Sequence, residues 1–279
     1  MLAYLQLFRI GNALIAAIAV VICGWLVVPF WQSIELICAA IAAFFITAGA
    51  NAANDANDVV ADRINHPKRP LVTGKIQTKH ARQLAFSFTI FGIGAGFLLP
   101  PPIFLLPILV VLLLWRYNSS WKRRAWIGNF TIALCGALTP ILGAWVVGDV
   151  RAGILPALLV GFAFFARELA KDIQDLPGDL VAHYKTAVIQ YGYQPVKSVI
   201  RFSVLGLLAT LAALLTLEPF QNLMSQALIA FVIGIAINRY IMVSRLKTSE
   251  PEQWARVSGW FKEILILGLL VLSTGHIRG

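Results

Sequence analysis

Read for its hydrophobic and polar positions, the chain alternates between long apolar runs and short polar connections. A helix needs about 20 apolar residues to cross the hydrocarbon core of a bilayer. Nine runs meet or approach that length, over about 10–28, 34–53, 81–99, 103–117, 127–147, 153–171, 198–217, 224–243 and 261–276. The fourth is short at its start, after Pro100, Pro101 and Pro102. Three consecutive prolines do not fit inside a regular helix, so they predict a tight turn. A transmembrane barrel would show short alternating segments instead. The pattern therefore predicts an all-α polytopic membrane protein with nine transmembrane helices.

Composition agrees. Of 279 residues, 59% are hydrophobic and 13% charged, with a mean hydropathy of +0.78. Soluble domains carry roughly 45–50% apolar and about 25% charged residues. Disorder needs low hydrophobicity and high charge, and is excluded too. The net charge of +10 would suggest nucleic acid in a soluble protein. In a membrane protein it records topology, because Lys and Arg gather on the cytoplasmic side. Arg9 and the connections after spans 2, 4, 6 and 8, the last of which includes Lys262, hold 21 basic residues, against Arg151 and Arg278 on the other side. This asymmetry predicts a cytoplasmic N-terminus and no nucleic-acid partner. Cys23, Cys38 and Cys135 lie in apolar runs as core thiols, and His66, His80, His183 and His276 form no ligand cluster.

Six of the thirteen acids are aspartates that fall in two short stretches. The first contains Asn51, Asn54, Asp55, Asp58 and Asp62; the second contains Arg167, Glu168, Lys171, Asp172, Asp175 and Asp179. In both, the aspartates stand at i, i+3 and i+7, which stacks three carboxylates on one face if the helix continues. Pro177-Gly178 predicts a helix break before Asp179, leaving that residue on a loop. Both stretches follow even-numbered spans and so share the cytoplasmic mouth, consistent with duplicated halves of about 1–125 and 126–279. Six like charges at one mouth require raised pKa values or a bound cation. Oxygen-only ligands point to a hard cation such as Mg²⁺, which is usually completed by substrate phosphates. A phosphate or diphosphate ligand follows.

At these residues the sequence resembles the UbiA superfamily of intramembrane prenyltransferases. The first hallmark, Asn-Asp-x-x-Asp-x-x-x-Asp, stands at Asn54 to Asp62, and the second, Asp-x-x-Asp-x-x-x-Asp, at Asp172 to Asp179. The trailing Asn-x-Pro-x-Arg-Pro is matched by Asn65, Pro67, Arg69 and Pro70. The resemblance covers the whole chain. It implies a single transmembrane domain over residues 1–279, helices around a central cavity, and Mg²⁺-dependent transfer of a polyprenyl group from its diphosphate to a lipophilic acceptor within the lipid bilayer. It makes Asp55, Asp58, Asp62, Asp172, Asp175 and Asp179 the ligands of Mg²⁺ through the diphosphate. Lys122 is placed on the diphosphate and Tyr117 on the carbocation face, although Lys122-Arg123-Arg124 serves equally well as a topology anchor. Arg69 would bind phosphate. Arg9 and Asn12 match polar positions near the diphosphate or acceptor, and Asn51, one turn before Asp55, faces the same site in a regular helix.

The Arg167-to-Asp179 segment, with Lys185-Thr186 and Tyr191-Gly192 downstream, resembles the branch that alkylates geranylgeranylglyceryl phosphate in ether-lipid synthesis. Arg167 and Lys171 then belong to substrate binding, since an anionic acceptor would use the cations on this face. Aromatic or quinone precursors and chlorophyllide stand as alternative acceptors. A secondary transporter with paired Asp sites is the alternative of another class, but its site would lie near the midplane on broken helices.

Overall fold

The computed structural model describes residues 1–29, 33–247 and 249–275. Span 9's last residue, His276, and the outer-side Arg278 lie outside the described residues. Thirteen α-helices follow in order: α1 Leu2–Leu7, α2 Ile10–Trp25, α3 Ile34–Asn57, α4 Val59–Asn65, α5 Thr78–Gly96, α6 Leu105–Ser119, α7 Ile127–Val146, α8 Ile154–Gln174, α9 Leu176–Val181, α10 Ala187–Tyr191, α11 Tyr193–Leu214, α12 Leu223–Arg245 and α13 Pro251–Thr274. Each run read as a span falls on a helix. Among the described residues, six helices, α3, α7, α8, α11, α12 and α13, are long and apolar enough to cross a membrane. α2 and α6 are apolar but only 16 and 15 residues long, about 24 Å at 1.5 Å per residue, short of a core of about 30 Å. α5 has 19 residues but opens with Lys79, His80 and Arg82.

In a bilayer, helices gain little from burying apolar faces against each other, so close approach through small residues matters more. α3 and α5 pack along their length. A Cβ on Gly49 of α3 would stand 2.9 Å from the Ala85 carbonyl, and one on Gly92 of α5 would stand 2.6 Å from Ile46. The largest core joins α8, α11, α12 and α13, with Trp254 and Phe261 fully enclosed. The three prolines form the expected turn, closed by Ile103 N–H to the Pro100 carbonyl at 2.8 Å.

Two boundaries differ from expectation. α13 begins ten residues before the run that marked it, because its first turns are amphipathic. Trp254, Val257 and Phe261 face the core while Glu252 and Arg256 sit among them. Lys262 is thus part of a helix, not of a connection. In both aspartate stretches the break comes at the middle aspartate. Asp58 (φ −97°, ψ 6°) separates α3 from α4, and Asp175 (φ −90°, ψ 3°) separates α8 from α9. Pro177 lies in the first turn of α9, where a missing N–H leaves no bond unmade, so Asp179 is helical and not on a loop.

The short helices α4 and α9 dock on one another and bring the two stretches together. Asn65 clamps them: its Nδ2 donates to the Asp175 carbonyl at 2.7 Å, and its Oδ1 accepts from Gly178 N at 2.9 Å. A Cβ on Gly178 would meet the Asn65 side chain and stand 2.5 Å from the Ala61 carbonyl. Gly178→Val should therefore lower stability by about 1–3 kcal/mol, read as a lower unfolding midpoint in detergent. Asn65→Ala should also destabilise, and the double variant should lose less than the two single effects together, because both act on one contact. Full additivity would refute the clamp.

Candidate active site

The first triplet is buried and fully paired. Asp55, Asp58 and Asp62 are 3%, 3% and 4% exposed. Arg9 Nη2 lies 2.5 Å from Asp55 Oδ1, while Arg69 Nη1 reaches Asp55 Oδ1 at 3.2 Å and Asp62 Oδ2 at 2.5 Å. Lys122 Nζ pairs with Asp58 Oδ2 and donates to Asn54 Oδ1 at 3.1 Å. Asn54 Nδ2 and the Tyr184 hydroxyl donate to Asp58 at 2.8 and 3.1 Å. Burial pushes the Asp58 carboxyl up, but Lys122, Tyr184 and Arg69 overcome it and hold the group below the usual carboxylate range. At Asp62 burial outweighs Arg69 and the pKa rises. Burial opposes the charge on Lys122, yet adjacent Asp58 raises its pKa. Arg9 has a left-handed backbone (φ 46°), an uncommon conformation for a residue with a Cβ. Its guanidinium is the link from α2 to Asp55, so the strain lies at the site.

The second triplet is held differently. Asn129 Nδ2 donates to Asp172 Oδ2 at 2.9 Å. His66 Nε2 stands 3.3 Å from Asp175 Oδ1, too poorly aligned for a hydrogen bond. Among the described residues, no Lys or Arg forms an ion pair with Asp172, Asp175 or Asp179. The neighbouring Arg167 and Lys171 pair instead with Glu168, at 2.7 and 3.4 Å. Burial raises the Asp175 carboxyl, but His66 and Lys171 more than offset it and its pKa is lowered. Asp179 is pushed up to about 8, first by burial and then by the like charge of Asp172.

Two cavities meet at these residues. A polar one of about 40 Å³ is lined by Asp58, Asp62, Asp172, Asp175 and Asp179 with Arg69, Lys122 and Thr186. A larger, mostly apolar one of about 190 Å³ runs between α2, α3, α6, α7, α8 and α13, past Ile46, Leu106, Leu138, Leu142 and Phe164. Arg9, Asn54, Tyr117, Glu168 and Lys171 line both and ring the junction. A molecule with a strongly anionic head and an apolar tail would place the bond between them at this ring.

The donor set fits a hard cation shared with a phosphate ligand. Its side chains offer oxygen only, and the buried Asp175 Oδ1 and Thr186 Oγ1 lack hydrogen-bond partners. Among the described residues, no three His, Cys, Asp or Glu groups converge into a ready cage. Ligand oxygens would therefore complete the shell, as Mg²⁺ commonly requires.

The residues singled out in the sequence divide between the cavities. Asp55 lies behind Arg9 and Arg69 and does not line the polar cavity. Asn12, Asn51 and Arg167 line the larger cavity only; Asn51 Nδ2 donates to the Phe8 carbonyl at 3.3 Å. Tyr117 is buried at the junction. Sequence reasoning missed Tyr184, Asn129 and His66, which lie far along the chain from their partners here, and used Thr186 only for the branch resemblance. It also left Glu168 without a role and counted Lys262 only for topology, whereas Lys262 lines the larger cavity.

The UbiA prenyltransferase family model matches residues 9–265. A digeranylgeranylglyceryl phosphate synthase of Methanosphaera stadtmanae is 28% identical over 98% of this chain and 99% of its own length. The synthase of the same name from Sulfurisphaera tokodaii is 34% identical over 69% of this chain and 70% of its own. A solved digeranylgeranylglyceryl phosphate synthase structure superposes with a TM-score of 0.76 at 26% identity, covering 98% of this chain and 97% of that one. A UbiA homologue from Archaeoglobus fulgidus bound to DMAPP and Mg²⁺ shares the fold, with a TM-score of 0.67 at 17% identity over 97% and 99% of the two chains. With its helices, its paired aspartate stretches and a family match along most of its length, the chain belongs to the UbiA prenyltransferase family and is an intramembrane prenyltransferase.

Proposed function

We propose that this protein transfers a geranylgeranyl group from its diphosphate to geranylgeranylglyceryl phosphate, forming an ether bond in lipid synthesis. The observation that carries prenyl transfer is the ring of Arg9, Asn54, Tyr117, Glu168 and Lys171 between the apolar and the aspartate-lined cavity. The acceptor is supported by the relatives named above, one of which aligns over nearly the full chain. The 21-to-2 distribution of basic residues supports nine spans with the active site at the cytoplasmic face. The matched breaks at Asp58 and Asp175 support one domain of two halves, about 1–125 and 126–279.

In this reading the prenyl tail occupies the apolar cavity and the diphosphate the polar one. Bound Mg²⁺ would supply charge to stabilise the departing diphosphate, held by Asp58, Asp62, Asp172, Asp175 and Asp179, with Asp55 anchoring Arg9 and Arg69 behind them. Arg69 and Lys122, now paired with aspartates, can turn to the phosphate oxygens, so the charge of the leaving group meets cations already in place. As the C1–O bond breaks, its electron pair leaves with the diphosphate, and the acceptor's hydroxyl oxygen bonds to C1 while its proton passes to the released diphosphate. Tyr117 presents a ring at the junction, where it stabilises positive charge on the allylic carbon. The apolar wall keeps water from that carbon.

Asp172→Asn and Asp55→Asn should each reduce diphosphate release by about 100-fold or more while the fold is retained. Full activity in either variant would refute the role of the triplets. Given geranylgeranyl diphosphate and a panel of acceptors, the purified protein should prenylate geranylgeranylglyceryl phosphate in preference to aromatic acids, as read by mass spectrometry. Transfer to an aromatic acceptor alone would move it to the quinone-forming enzymes. Finally, Asp179 must lose its proton before it can ligate a cation, and its pKa stands at about 8. The Mg²⁺ concentration for half-maximal activity should therefore fall as pH rises from about 7 to 8.5. A requirement that is flat or rises with pH would contradict this.

A further inference from the structure

The larger cavity carries an excess of positive charge that prenyl-diphosphate binding leaves unused. Arg9, Arg167, Lys171 and Lys262 line it against one acid, Glu168. Arg9 is committed to Asp55. Arg167 and Lys171 share Glu168, which leaves one unit of positive charge between them. Lys262 adds a second: among the described residues, no carboxylate lies within ion-pair distance of it. It is half-buried on α13, a helix that contributes no aspartate to the site. α13 runs antiparallel to α8, since Ser258 Oγ meets Gln174 Oε1 at 3.1 Å while Gly268 packs on Leu159. One turn on from Ser258, Lys262 is therefore level with Lys171 and Arg167.

Two uncompensated cations at the mouth of an apolar cavity call for a dianion with an apolar tail. The donor's diphosphate is a poor match, because its polar cavity is lined by neither Lys262 nor Arg167. A phosphate monoester carries about −1.5 to −2 charge at neutral pH. Without bridging metal, it would be repelled from the aspartates and drawn to these cations.

We propose that Lys262, with Arg167 and Lys171, binds the phosphate monoester of the lipid acceptor, at a subsite separate from the one for the donor's diphosphate. The assignment rests on the reading of the acceptor as a glyceryl lipid phosphate. Lys171 lines both cavities, so a phosphate held there keeps the glyceryl hydroxyl, within two carbons of the ester oxygen, beside the junction where C1 lies.

The test is steady-state kinetics of the full-length protein with geranylgeranyl diphosphate and either geranylgeranylglyceryl phosphate or unphosphorylated geranylgeranylglycerol. Lys262→Met should raise KM for the phosphorylated acceptor by about tenfold or more, leave KM for the donor unchanged, and leave turnover of the alcohol unchanged. Lys262→Arg should restore most of the loss. A Lys262→Met variant with unaltered acceptor KM, with raised donor KM, or with equal losses on both acceptors would overturn the subsite alone. Wild-type protein that prenylates neither glyceryl acceptor but does prenylate an aromatic one would overturn the subsite together with the acceptor reading.

Discussion

Three cations neutralise the first aspartate triplet, and among the described residues none pairs with the second. Arg9, Arg69 and Lys122 reach into a buried cluster where Asp55, Asp58 and Asp62 would otherwise repel one another. A buried charge is tolerated only when it is paired or hydrogen-bonded, so these pairs set where α2, α3 and the Lys122 segment meet. They bring together residues from three separate parts of the chain. Asp172, Asp175 and Asp179 have polar neighbours in Asn129 and His66 but no Lys or Arg partner among the described residues. The free protein thus holds a neutral half-site and an acidic half-site face to face, joined by the Asn65 clamp. A metal–diphosphate complex carries both signs of charge and suits that asymmetry: its cations meet the acidic half, and its phosphates meet the cations of the other.

In the proposed complex, binding would exchange one set of ion pairs for another, without burying new uncompensated charge. That matters next to an apolar cavity, where low dielectric strengthens every mismatch. It also explains the breaks at Asp58 and Asp175. A continuous helix would place the third aspartate of each triplet two turns from the first, along the axis. Turning the chain at the middle aspartate lets α4 and α9 dock on one another and brings Asp62 and Asp179 to the same pocket.

The helices, the paired triplets and the family were legible in the sequence because each is a short-range or periodic signal. Apolar runs register in any window, and Asp-x-x-Asp-x-x-x-Asp is contiguous. What escaped depends on long-range contact. Tyr184 meets Asp58 across 126 positions, and nothing in its local sequence marks it. Pro177 looked like a helix breaker because proline is disfavoured in helix interiors, yet the first turn tolerates it, and the actual break lies two residues earlier. Lys262 escaped for a related reason. Averaged hydropathy begins α13 only where polar residues stop, whereas its amphipathic first turns already pack Trp254 and Val257 into the core.

Glu168 would keep the two proposed anion sites distinct. Lys171 is the immediate neighbour of Asp172 in sequence and lines the polar cavity. Glu168, one turn back on α8 and 7% exposed, pairs with Lys171 and Arg167. In the proposed reading this leaves the acidic half-site free for a metal and the cations free for an anion on the other side of the junction. One buried carboxylate outside both aspartate motifs therefore preserves two opposite electrostatic preferences a few side chains apart. If donor and acceptor are both lipid-tailed anions, as proposed, this arrangement would sort them by whether their phosphates carry metal.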